Sequence, residues 1–174
     1  IEPAPPGDAP EWILQVVGGS LQFSDAALRL YAHPDLLRVA AALNGEDFSP
    51  FNEVIWFKHP GLGGSVAWHQ DGTTHWDTPN FHKGSHGFNF MAQLYGCNAA
   101  NGLWVVPGSH LQLADIKGWC DEAGSDRLPN AVPLLCKPGD VGITNRQAVH
   151  GSFANTSDEW RVTINFGFHP RASV

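Results

Sequence analysis

The segment Trp160 to His169 alternates without a break: Trp160, Val162, Ile164, Phe166 and Phe168 fall on one side, Arg161, Thr163 and Asn165 on the other. Successive side chains of a strand point to opposite faces, so this strand is greasy on one face and polar on the other. The run Phe88 to Gly96 repeats the pattern, with Phe88, Phe90, Ala92 and Leu94 opposed to Asn89, Met91, Gln93 and Tyr95. Two such strands require a sheet that buries one face and borders polar space with the other, and a jelly-roll with a polar lumen meets that requirement. Further short β-like runs, Asn52 to Lys58, Ser65 to Asp71, Leu103 to Val106 and Asp140 to Asn145, are separated by Gly, Pro and Asn. That rhythm indicates a sandwich or barrel rather than βαβ units.

The other elements are placed around this frame. A Pro-rich arm opens the chain, and Trp12 to Val17 reads as an edge strand ending at Gly18-Gly19. Ser24 or Asp25 caps a helix through Tyr31, and Pro34 occupies the favoured first turn of a second helix carrying Leu36, Leu37, Val39, Ala40 and Leu43. Residues 111 to 135 form an irregular excursion with a helix around Leu111 to Trp119. With 174 residues, no internal repeat and no visible boundary, residues 1–174 are expected to be one domain.

Charge excludes several functions. Ten Lys plus Arg against seventeen Asp plus Glu give a net charge of −7, and no basic run exists to neutralise phosphates, so no nucleic-acid partner is expected. No apolar stretch approaches the roughly 20 residues of a membrane span, so no membrane partner is expected either. Cys97, Cys120 and Cys136 are odd in number and lack CxxC spacing, which fits a reducing, cytoplasmic setting. Nine histidines stand out in this composition, and imidazole is the commonest metal ligand.

In Trp68-His69-Gln70-Asp71-Gly72 a histidine and a carboxylate are two residues apart, which on a strand places both on one face. Two histidines and one carboxylate on one side of an ion make the facial triad of non-haem Fe(II) oxygenases. His150, followed by Gly151-Ser152, is the best candidate for the second histidine. Arg161, eleven residues later, lies on the polar face of the last strand. A buried charge needs a partner, and a guanidinium fork matches a carboxylate bidentately. Arg161 is therefore expected to grip the far carboxylate of 2-oxoglutarate, with Ser152 donating a hydroxyl hydrogen bond to it.

These residues carry a family resemblance. His33-Pro34-Asp35-Leu36-Leu37, Lys58-His59-Pro60-Gly61, Trp68-His69-Gln70-Asp71, Asn101-Gly102-Leu103-Trp104-Val105-Val106-Pro107-Gly108-Ser109-His110, Lys137-Pro138-Gly139-Asp140, and His150-Gly151-Ser152 with Asn155, Ser157 and Arg161 occur in order from about residue 30 to the end. The chain resembles the phytanoyl-CoA dioxygenase family of Fe(II)/2-oxoglutarate oxygenases. The resemblance implies a mainly β protein, a double-stranded β-helix (jelly-roll, cupin-like) with a few flanking N-terminal helices, lacking part of the family's N-terminal region. It implies Fe(II) on His69, Asp71 and His150, and 2-oxoglutarate on Arg161 and Ser152. It also implies consumption of O2, release of succinate and CO2, and hydroxylation of a small organic molecule. Asp71 favours hydroxylation over halogenation, because halogenating relatives have a small residue there.

Other readings stand beside these. Gln93, on the polar face of a strand resembling one that lines the cosubstrate pocket, is either a 2-oxoglutarate or substrate contact or a structural amide. Lys58 has either a structural ion pair or a site role. Arg161 could instead bridge Glu159. His75, Trp76, Phe81, His82, Lys83 and His86 mark a loop that forms a substrate wall or is simply solvated, and Pro107 to His110 is a structural turn. Two rivals to a hydroxylase are a metal-binding jelly-roll without turnover and a cupin-like metalloenzyme that does not use 2-oxoglutarate. Neither the substrate nor the oligomeric state follows from the sequence.

Overall fold

The computed structural model describes residues 15–61, 64–71 and 87–173. The N-terminal arm, the start of the first strand and the aromatic and histidine cluster from His75 to His86 lie outside the described residues. Among the described residues, nine strands form two antiparallel sheets. The larger contains β1 (Gln15–Gly18), β2 (Phe48–Lys58), β9 (Arg161–Pro170), β4 (Phe88–Gln93) and β7 (Val141–Asn145), in that spatial order. The smaller runs β3 (Val66–His69), β8 (His150–Ser152), β5 (Leu103–Val105) and β6 (Val132–Pro133). The mainly β jelly-roll expectation is met.

The alternation of β9 and β4 sorts the molecule into layers. Phe90, Ala92, Ile164, Phe166 and Phe168 form a buried cluster with Tyr31 and Ala40, against which Leu30, Leu36, Leu37 and Val39 pack. These last belong to α1 (Asp25–Tyr31) and α2 (Pro34–Asn44), so both helices cover the outer face of the large sheet. Ser24 caps α1 by accepting from the Ala27 amide, and Pro34 opens α2. The Tyr31 hydroxyl fixes α1 to the sheet by donating to Gly167 O at 3.0 Å and accepting from Phe51 N at 3.0 Å, and burial pushes its pKa up to about 12.

Several boundaries differ from the sequence reading. β2 begins at Phe48 rather than Asn52, because it pairs with β9 from Phe48↔Pro170 to Lys58↔Arg161. β4 ends at Gln93, leaving Leu94 and Tyr95 exposed. Trp160 precedes β9 and stacks edge-on against His59 at 4.6 Å instead of joining the apolar face. The helix of the excursion is α3 (Ile116–Ala123), shifted because the Asp115 carboxylate accepts from Gly118 N at 3.0 Å and so caps it there. The short strands β6 and β8 have too few residues for a periodic signal.

Candidate metal centre

β3 and β8 are neighbours, and their register pairs His69 with His150. Residues 81 positions apart in sequence (150 minus 69) thereby place their rings 4.2 Å apart. Each Nδ1 lies 2.8 Å from a main-chain carbonyl two residues earlier, Ala67 O for His69 and Ala148 O for His150. A carbonyl only accepts, so both Nδ1 atoms carry the proton and both Nε2 atoms are left as donors of a lone pair. Asp71 lies just past the end of β3, where its amide donates to Arg146 O at 2.9 Å. Its Oδ1 is 3.5 Å from His69 Nε2 and its Oδ2 is 3.8 Å from His150 Nε2. One ligand atom from each of the three residues falls within 4.8 Å of the others. Two imidazoles and a carboxylate converging this closely have the donor set of a 2-His-1-carboxylate centre, so the residues fit an Fe(II) ion.

The electrostatics of the cluster favour an ionised carboxylate. Burial disfavours charge on Asp71, but the adjacent His69 and His150 rings, the Arg146 charge and the Asn89 amide outweigh it, holding the carboxyl well below its usual range. For His150 burial dominates and lowers the pKa, keeping the ring neutral and free to ligate. Burial also acts against charge on His69, yet the bonds to Asp71 and Ala67 raise its pKa.

The cluster opens on a cavity of about 240 Å³ between the two sheets. Its polar lining comes from the inner face of β9, Arg161, Thr163 and Asn165, together with Asn89, Thr144 and Ser152, and its apolar lining from Trp56, Val66, Met91 and Leu103. Arg161 is 5% exposed, donates from Nε to Thr163 Oγ1 at 3.2 Å, and has no carboxylate partner among the described residues. Glu159 does not pair with it; the Glu159 carbonyl accepts from Asn155. Burial lowers the Arg161 pKa, and the titratable groups acting on it are the thiols of Cys97 and Cys136.

Lys58 stands across from Arg161 in the β2–β9 register and is 1% exposed. Its Nζ donates to Ser152 Oγ at 2.8 Å and to Phe153 O at 2.5 Å, rather than forming an ion pair. Burial, reinforced by the Arg161 charge, lowers its pKa to about 7. Ser152 thus lines the cavity with its oxygen fixed and its proton free to be donated. Gln93 does not line the cavity: its Oε1 accepts from Thr163 Oγ1 at 2.8 Å, so the amide holds the residue to which Arg161 donates.

Gln70, the Gly108-Ser109 turn and Asn155 make hydrogen bonds that brace the surrounding main chain. Gln70, between His69 and Asp71 in sequence, turns away and is 2% exposed. Its Nε2 contacts Ser109 O, Gln112 O and Gln147 O, and its Oε1 accepts from Ala114 N. Gly108 takes φ 79°, and Ser109 Oγ donates to Val106 O while accepting from Val149 N, so the Pro-Gly-Ser-His turn braces the approach to His150. Asn155 Nδ2 ties Lys58 O, His59 O and Glu159 O together.

Two buried residues beside Asp71 were not singled out from the sequence. Asn89 Nδ2 donates to Asp71 Oδ2 at 2.7 Å, and Arg146 Nε lies 3.7 Å from the same oxygen. The signal for Arg146 was present: it is one of only ten Lys plus Arg, four residues before His150, in a segment with no basic neighbours.

The family model described as phytanoyl-CoA dioxygenase (PhyH) matches residues 16–163. A curated relative, phytanoyl-CoA dioxygenase 1 of Oryza sativa subsp. japonica, is 33% identical over 110 residues, covering 58% of this chain and 37% of the relative. Among solved structures, EvdMO1 is 30% identical with a TM-score of 0.74, covering 97% of this chain and 38% of its own. EctD from S. alaskensis, described with 2-oxoglutarate and 5-hydroxyectoine, is 22% identical with a TM-score of 0.75, covering 91% of this chain and 57% of its own, and supports the fold. The chain spans between 37% and 57% of the length of the curated relatives it matches.

Proposed function

The chain belongs to the phytanoyl-CoA dioxygenase family, and from that premise we propose that it is an Fe(II)- and 2-oxoglutarate-dependent dioxygenase that hydroxylates a small organic molecule. The overall reaction takes substrate C–H, O2 and 2-oxoglutarate to C–OH, succinate and CO2. The observation that carries the reading is one cavity with the His69–Asp71–His150 cluster and, on the facing sheet, a buried guanidinium lacking a carboxylate partner among the described residues.

His69 Nε2, His150 Nε2 and the Asp71 carboxylate would hold Fe(II), which when bound supplies oxygen activation coupled to oxidative decarboxylation of the cosubstrate. Arg161 binds the far carboxylate of 2-oxoglutarate through its fork, because a dicarboxylate supplies the counter-charge that the protein does not. Ser152 donates its hydroxyl proton to the same carboxylate while Lys58 holds its oxygen. Thr163, oriented by Gln93, steadies the guanidinium at Nε. Trp56, Val66, Met91 and Leu103 exclude water from the space beside the cluster, where the substrate's C–H bond is to be presented.

The test is binding first and turnover second. With Mn(II) present, the wild-type protein is expected to bind 2-oxoglutarate, and Arg161→Met to lose that affinity. Succinate is then measured with Fe(II), O2 and a panel of small substrates. Equal 2-oxoglutarate affinity in the wild type and Arg161→Met would sink the cosubstrate assignment and favour a cupin-like metalloenzyme. Binding of metal and 2-oxoglutarate without succinate for any substrate would favour a jelly-roll that does not turn over.

A further inference from the structure

Arg146 is buried beside the cluster, at 2% exposure, and the cosubstrate reading does not use it. Its guanidinium carbon sits over the Phe51 ring at 3.9 Å, its Nε is 3.7 Å from Asp71 Oδ2, and neither Nε nor Nη1 has a hydrogen-bond partner among the described residues. Burying a guanidinium with unmet N–H groups is costly, so a position that only filled space would be better served by an apolar side chain of similar volume. Its backbone is fixed as well: Arg146 O accepts from Asp71 N at 2.9 Å, and Arg146 N donates to Gly87 O at 3.3 Å. The side chain is thereby held against one carboxylate oxygen and not the other.

The two oxygens of Asp71 differ in surroundings. Oδ2 accepts the Asn89 amide at 2.7 Å and has the Arg146 Nε at 3.7 Å and His150 Nε2 at 3.8 Å, whereas Oδ1 lies toward His69 Nε2 at 3.5 Å. Resting on the metal reading of the preceding subsection, we propose that Arg146 is a positioning residue that, with Asn89, holds Asp71 Oδ2 and leaves Oδ1 as the single donor to the metal. The consequence is a matter of coordination positions. A facial triad with a one-oxygen carboxylate leaves open positions for cosubstrate and O2. A carboxylate free to turn and chelate through both oxygens would occupy one of them. Arg146 in this view protects an open position without touching the metal.

The experiment uses Co(II) as the probe, read by affinity and by visible ligand-field absorption, on the wild type, Arg146→Gln, Arg146→Lys and Asp71→Ala, with thermal melting of each metal-free protein. Loss of an outer partner typically lowers metal affinity about 10–100-fold. Arg146→Gln is expected to show a loss of that size and a changed absorption, as a second carboxylate oxygen takes a position otherwise left open. Arg146→Lys keeps the buried charge without the fork; it is expected to retain more affinity than Arg146→Gln and carries the test if that variant does not fold. A lowered melting temperature with unchanged Co(II) affinity and spectrum in both variants would make Arg146 purely structural and overturn the inference. If the wild type binds Co(II) no better than Asp71→Ala, the metal reading itself fails and the inference falls with it.

Discussion

The two faces of β9 are built from the same ten residues and have opposite energetics. Outward, Ile164, Phe166 and Phe168 are buried against β4 and both helices, and stability resides there. Inward, Arg161, Thr163 and Asn165 line the cavity, and the first of these is a buried charge with no carboxylate to balance it among the described residues. One face lowers the free energy of folding, and the other raises it in return for a site that a dianion can complete. The comparison implies that the faces can be broken separately.

The largest effect is expected on the outer face. Phe166 is fully buried, and Phe→Ala in a core typically costs about 3–5 kcal/mol. Urea unfolding of Phe166→Ala should show that loss, while 2-oxoglutarate affinity in the fraction that stays folded is unchanged. The inner face should give the converse. Truncating one side of a buried charge pair typically costs about 2–5 kcal/mol of binding. Calorimetry with Mn(II) and 2-oxoglutarate should therefore show Arg161→Met weakened by roughly 30–5,000-fold. Its unliganded stability should hold or rise, because an unpaired buried charge has been replaced by an apolar chain of similar length. If Arg161→Met instead loses as much stability as Phe166→Ala, the division between the faces is wrong.

A pH measurement sharpens the same contrast. Lys58 faces Arg161 across the β2–β9 pair, and burial lowers its pKa from 10.5 to about 7. Below pH 7 the amine is protonated in both the folded and the unfolded chain, so its contribution does not vary. Between about 7 and 10.5 the unfolded chain binds a proton that the folded one does not, and stability from this group rises with pH. The slope has an upper limit of about 1.4 kcal/mol per pH unit. The stability difference between wild type and Lys58→Met, followed by urea unfolding from pH 6.5 to 9, should change in the wild type's favour as pH rises. A flat difference would mean that Lys58 keeps its proton in the fold.

The two faces were also unequally legible. The outer face follows from period-two alternation over a long strand, a signal that local geometry alone produces. The His69 and His150 neighbourhood followed from a short motif and a family pattern, because the β3–β8 register that joins them cannot be read from either segment. Asn89 was visible as a polar-face residue, but its bond to Asp71 depends on how one sheet lies over the other. Arg146 was within reach of the rule applied to Arg161, that a buried cation in an acidic chain needs a reason. It was passed over because it sits in no strand, where alternation could point it inward. The short strands β6 and β8 and the cap at Asp115 depend on tertiary pairing and on a single side chain, so boundaries there shifted most.

The smallest effect tests how finely the inner face is arranged. Gln93 was read from the sequence as either a ligand contact or a structural amide, and in the fold its Oε1 accepts from Thr163 Oγ1 while Thr163 in turn accepts from Arg161 Nε. Gln93→Leu removes the acceptor and leaves the Thr163 hydroxyl proton without its partner. A net hydrogen bond is worth about 0.5–1.5 kcal/mol, so stability should fall by about that amount. The informative comparison is with 2-oxoglutarate binding. If Gln93 acts through Thr163 on the Arg161 guanidinium, Gln93→Leu weakens binding several-fold, and adding it to Arg161→Met weakens binding no further, since residues in one network do not add. If the two changes add in full, Gln93 contacts the ligand by itself, and the inner face has one more ligand-touching residue than the cavity lining indicates.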